Sequence, residues 1–160
     1  MAMTPVWAPK RIRMVDRVLG TSTGAARVET DVGPAFAKLP GNPEGLSVLC
    51  CELIGTRAAQ WLGLPTFDFA LIPVTERLIQ YDNGTESLAG TGLLMREELG
   101  GQSWGGTSEE LASVVNQDAL SGLIVLDTWL LNCDRFSNDD TRMRRNERNV
   151  FLIPAPGRKE

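Results

Sequence analysis

The sequence predicts an α+β protein, with an antiparallel sheet and one helix in the N-terminal part and a smaller, mainly helical part after it. Three observations carry this reading. Short strand-like segments between Arg11 and Leu39 are joined by turns so tight that neighbouring strands must be antiparallel. One long helical period then runs from Leu46 to Leu62 and stops at a glycine and a proline. Finally, the glycine-rich stretch "GGQSWGGTS" sets these elements apart from a second helical period near the C-terminus. We place the boundary between residues 1–100 and residues 101–160.

Taken in order, "RIRMVDRVL" (Arg11 to Leu19) is rich in aliphatic and β-branched residues with partial alternation, which is a strand pattern. "GTSTG" follows, its small residues bracketed by Gly20 and Gly24, and "AARVET" makes the second arm of a hairpin. "DVGP" is turn chemistry, and "AFAKL" (Ala35 to Leu39) is a third strand. After "PGNPEG" the apolar positions Leu46, Leu49, Leu53, Ala58, Trp61 and Leu62 recur at helical spacing, and Gly63 and Pro65 end the helix. "FDFALIPV" and "RLIQY" are expected as strands, "DNGTES" as a loop and "GTGLLMREEL" as a short extended piece. Ser108 has N-cap character, a helix is expected from about Asp118 to Leu131, and "NVFLI" (Asn149 to Ile153) closes as a strand.

Composition narrows the chemistry. A chain of 160 residues with 42% apolar and 22% charged residues can bury a sizeable core without staples. The net charge of -4 argues against a nucleic acid as main partner. No apolar run approaches the ~20 residues of a membrane helix, and no leader pattern opens the chain, so a cytoplasmic protein without membrane contact is expected. The three cysteines, two of them the adjacent Cys50 and Cys51, do not form a disulfide framework. With no histidine, serine–histidine and cysteine–histidine nucleophiles are excluded, which leaves Asp, Glu, Lys and Asn for chemistry.

Those residue types converge on one reaction. A small-residue turn between two strands, with Gly20, Ser22 and Gly24, precedes Lys38 by the distance at which a hairpin covers nucleotide phosphates while a strand lysine reaches them. Glu52 lies among apolar neighbours on the following helix and could hold the lysine by an ion pair, with Glu44 as a second candidate at the helix start. In "LDTWLLNCDRFSNDD" an apolar helix gives way to Asp134 and Arg135. Phosphoryl transfer needs one carboxylate to orient the acceptor hydroxyl, here Asp134, and oxygen ligands for Mg²⁺, here Asn149 with Asn138 and Asp139 as competitors. Each feature also has a plain structural reading, as a turn, an exposed lysine or a capping loop.

Together, "GTSTG", "AFAKLPGNPEGLSVLCCELIGTRAAQWLGLP" and "LDTWLLNCDR…RNVFL" resemble the HipA-like kinases, bacterial serine/threonine kinases of the protein-kinase-like superfamily. The resemblance implies a protein-kinase-like fold in which Lys38 positions ATP, Glu52 is its helix partner, Asp134 is the catalytic aspartate and Asn149 binds the metal. It also implies that Asp127 and Asn132 shape the catalytic loop, and that Ser22 lies where some relatives are autophosphorylated. Phe136 departs from the pattern, since the family usually carries histidine there, and the insert "FSNDDTRMRRNE" lengthens the loop. The family's second metal-binding aspartate and most of its helical lobe would fall after Glu160, so the resemblance implies a truncated kinase with impaired catalysis.

The expected function is therefore ATP- and Mg²⁺-dependent phosphorylation of a protein serine or threonine. Expected partners are the nucleotide and a protein substrate or antitoxin-like protein. The alternative is a non-catalytic, pseudokinase-like module that binds a protein.

Overall fold

The computed structural model describes residues 7–75, 77–105, 107–132 and 150–154. They fall into two units, Met1–Arg57 with Thr66–Glu97, and Ala58–Pro65 with Glu98–Glu160.

The first unit is built on strands β1 (Ile12–Val18), β2 (Ala26–Thr30), β3 (Gly33–Lys38), β4 (Phe69–Val74) and β5 (Gly90–Arg96). All neighbours are antiparallel in the order β1-β2-β3-β5-β4. Period-two alternation sorts the side chains. Ala26, Val28, Ala35, Ala37, Leu39 and Leu94 are fully buried in the core, while Arg27, Phe36, Met95 and Phe69 form one cross-strand row and Lys38, Leu93 and Leu71 another. β1 is an edge strand broken by two register shifts and studded with Arg13, Asp16 and Arg17, which blunts it against further pairing. The other edge, β4, carries Pro73, which has no amide to offer a neighbour.

Two expectations need correction here. "GTGLLMREEL" is more than an extended piece, because its Gly90–Arg96 segment is the strand between β3 and β4. "RLIQY" is not a strand: only Gln80 pairs, in an isolated bridge to Glu86. Its alternation is real, with Ile79 and Tyr81 buried and Leu78 and Gln80 exposed, but the inward residues join the alanine-lined core instead of extending the sheet.

The β2–β3 turn ties down the chain before β1. Asp31 accepts hydrogen bonds from the backbone amides of Lys10 at 2.9 Å and Arg11 at 3.3 Å. These bonds, that of Lys10 foremost, hold its carboxyl below the ordinary value of 3.8. Because the folded value is the lower one, the stabilisation is present above the unfolded value and is lost as pH falls through the folded one. Acid titration followed by circular dichroism is expected to show a shallower acid loss of stability in Asp31→Asn than in the wild type.

Helix α1 (Leu46–Trp61) starts behind a turn held by Asn42, which is 5% exposed. Its side-chain amide donates to the carbonyls of Leu39 (3.1 Å) and Gly45 (3.0 Å), and its oxygen accepts the Glu44 amide. The helix stops where expected, and the reason is a Schellman motif: Gly63 has φ +72°, its amide donates to Gln60 O, and the Leu64 amide donates to Ala59 O. The apolar stripe of α1 is largely open, since Leu46, Ile54 and Trp61 are exposed while Leu49 and Ala59 are buried.

In the second unit, Thr107 is the N-cap of α2 (Ser108–Ser113), correcting the expectation for Ser108. Thr107 and Glu110 form a reciprocal capping box, with the Glu110 amide donating to Thr107 Oγ1 at 3.1 Å and the Thr107 amide to Glu110 Oε2 at 3.2 Å. The glycine-rich stretch is more than a spacer, because β6 (Gln102–Ser103) within it pairs antiparallel with β7 (Phe151–Leu152). α3 (Gln117–Trp129) passes Gly122 under Leu64, where a Cβ would lie 2.6 Å from Leu64 Cδ2. Trp61 and Trp129 meet with ring centroids 6.3 Å apart. No helix among the described residues is long and apolar enough to cross a membrane.

Candidate functional site

Lys38 ends β3 on the face opposite the alanines, in register with Leu93. Strand alternation that buries Ala37 and Leu39 necessarily turns Lys38 to the other side. There its Nζ forms an ion pair with Glu52 Oε1, the two side chains being 20% and 30% exposed. That degree of cover strengthens the charge-assisted bond while leaving the ammonium reachable. Glu44, the other candidate, is exposed on the turn before α1, its amide bonded to Asn42.

The turn between β1 and β2 is closed from within. The Leu19 amide donates to Ala25 O at 2.7 Å, Gly24 to Thr21 O at 2.9 Å, and Ala25 to Thr21 Oγ1 at 3.1 Å. Gly20 and Ser22 are exposed, and a Cβ at Gly20 would meet nothing within 4 Å. Gly24 differs. It is buried, has φ +60°, and its missing side chain leaves room for the ring of Tyr81.

At the end of α3 the chain folds back on itself. The Asn132 amide donates to Asp127 O at 2.8 Å, and its side-chain Nδ2 donates to Asp127 Oδ1 at 2.9 Å. Asp127 is 7% exposed, so this bond lies out of bulk water. Asp134, Asn138, Asp139 and Asn149 lie outside the described residues. Among the described residues no group of three or more Asp, Glu or Cys side chains converges as a metal site would require.

Three structural participants escape the sequence. Asn42 looks like turn chemistry but is the buried hub behind Lys38. Tyr81 sits against Gly24, far from it in the chain. Arg27 gathers Glu97 at 2.8 Å, Asp16 at 3.0 Å and Glu29 at 3.4 Å on the sheet face that also carries Phe36. Its hydrogen bonds to Glu97 first, then to Asp16, hold its guanidinium still more firmly protonated than usual. Alternating charges along β2 are the only sequence signal for that network.

No curated protein and no solved structure matches the chain. A model of one family does, HipA-like kinase, over residues 9–152 of the 160. The match takes in the turn at Gly20–Gly24, the Lys38–Glu52 pair and the Asp127–Asn132 fold-back, and on that span the chain belongs to the HipA-like kinase family.

Proposed function

We propose that the chain binds Mg·ATP and transfers its terminal phosphoryl group to a protein serine or threonine, on a protein-kinase-like fold. The observation that carries this reading is the Lys38–Glu52 ion pair, which presents a fixed, part-exposed ammonium of the kind that fits the phosphates of a nucleotide. Lys38 binds the α- and β-phosphates and Glu52 keeps it extended toward them. The turn at Gly20, Ser22 and Gly24 covers the phosphates. Asp134 orients the acceptor hydroxyl and takes its proton as the bond to the γ-phosphorus forms and the phosphoanhydride bond breaks, releasing ADP. The resemblance assigns Mg²⁺ to Asn149, with Asn138 and Asp139 as alternatives, and when bound the ion neutralises phosphate charge.

A second reading has an observation of its own. Ile124, Val125 and Trp129 on α3 are exposed, which favours a non-catalytic module that docks a protein.

Thermal unfolding with and without Mg·ATP separates the two. Nucleotide at about 100 times its dissociation constant is expected to stabilise the wild type by roughly 2.7 kcal/mol. Asp134→Asn is expected to keep that shift while losing transfer of labelled phosphate to protein. A cooperatively folding wild type that ignores Mg·ATP would overturn the kinase reading and leave the docking module.

A further inference from the structure

The lysine and the phosphate-covering turn belong to different strands, and something must hold the turn in place relative to the end of β3. One segment touches both. Residues 79–88 run back on themselves: the Ser87 amide donates to Ile79 O and the Ile79 amide to Ser87 Oγ, at 2.9 and 3.0 Å. The Tyr81 amide donates to Thr85 O and its carbonyl accepts the Gly84 amide, both at 2.9 Å, so its backbone is fixed on both sides.

This segment is fastened just beyond Lys38. The Leu88 amide donates to Pro40 O at 2.8 Å, and Gly41, with φ +81°, lies so close that a Cβ there would be 2.6 Å from the Glu86 carbonyl oxygen. Its other contact is with the turn. A Cβ at Gly24 would lie 2.5 Å from Cδ1 and 2.7 Å from Cε1 of Tyr81, and 3.4 Å from Cδ of Pro43. The aromatic ring therefore fills the place a side chain at Gly24 would take, a spot that Pro43 of the turn following the lysine also borders. Tyr81 is 3% exposed, and its hydroxyl has no hydrogen-bond partner among the described residues. The ring, not the hydroxyl, makes the contact.

We propose that Tyr81 is a positioning residue for nucleotide binding, its ring clamping the Gly20–Gly24 turn to the Pro40–Pro43 turn and so fixing the phosphate cover relative to Lys38. This rests on the proposed function for its ligand but not for its geometry. A preorganised turn lowers the ordering cost of binding phosphates and leaves contacts to the nucleoside untouched.

Hydrogen exchange on the full chain without nucleotide reads the clamp directly, through the Gly24 and Ala25 amides that donate to Thr21. Tyr81→Leu is expected to speed their exchange by about tenfold or more. It is also expected to weaken ATP binding by about tenfold, measured by calorimetry, while adenosine affinity stays within about twofold. Tyr81→Phe is expected to match the wild type in all three. Gly24→Ala, which drives the turn off an intact ring, gives the same pattern as Tyr81→Leu and serves if the latter does not fold. Unchanged exchange, an equal loss for ATP and adenosine, or a Tyr81→Phe that behaves like Tyr81→Leu would each overturn the proposal. A wild type that binds no ATP would overturn the proposed function and the positioning role with it, even if faster exchange showed the clamp itself to be real.

Discussion

Lys38→Ala is expected to abolish the Mg·ATP-dependent rise in melting temperature. For a chain of this size the shift lost is roughly 5–10 °C, from about 2.7 kcal/mol of ligand stabilisation. Truncation removes the ammonium and leaves Glu52, 30% exposed, as a carboxylate facing the same anionic ligand. Two effects thus add, a lost attraction and an unmasked repulsion, and both act on binding far more than on folding. The unliganded variant is expected to lose only about 1 kcal/mol, since both partners retain some contact with water. Glu52→Gln separates the contributions, because it keeps a lysine without its anchor. Its affinity for ATP is expected to fall by about tenfold, while the double variant Lys38→Ala/Glu52→Gln falls no further than Lys38→Ala alone. Additive losses in that cycle would show that Glu52 does not act through Lys38.

Much of this pair was legible in the sequence. A lysine between two inward-pointing residues, Ala37 and Leu39, can only face the other side of its strand, and Glu52 on the next helix is one of two acids, with Glu44, that the sequence offers to meet it. The β2–β3 hairpin was legible for the same reason, because its alternation is local. β5 was not. Its Gly92, Leu93 and Leu94 are buried in succession, so a strand covered on both faces shows no alternation, and two glycines at its start weaken the signal further. "RLIQY" failed in the opposite sense, since period two reports an extended chain with one buried side and says nothing about which backbone it pairs with. The role of Gly24 was half visible. A glycine in a hairpin turn is expected, but the ring that requires it comes from a segment close only in the folded chain.

The end of α3 carries the second large effect, because Asp134 follows its fold-back at Asn132 by only two residues in the sequence. Leu131 has φ +51°, the only positive value at a non-glycine among the described residues. Its amide donates to Thr128 O at 3.4 Å and that of Asn132 to Asp127 O at 2.8 Å, the two bonds of a Schellman motif with leucine at the position glycine usually holds. A side chain in that conformation costs about 1–2 kcal/mol, so something must hold it there. The buried Asp127 carboxylate does so by accepting the Asn132 side chain at 2.9 Å. Asp127→Ala is therefore expected to destabilise the chain by about 2 kcal/mol in urea denaturation, within the range for a hydrogen bond to a charged group. It is also expected to lower phosphoryl transfer while the Mg·ATP shift persists, since Lys38 and Glu52 lie in the first unit. Leu131→Gly gives the discriminating contrast. Relieving the strain is expected to leave stability unchanged or raise it by up to about 1 kcal/mol, the gain being partly offset by the freedom glycine has when unfolded. Transfer by Leu131→Gly is expected to remain near that of the wild type, because the Asp127–Asn132 bond is intact. A transfer rate that followed stability across both variants, instead of following that bond, would show that the fold-back serves folding alone and has no part in transfer.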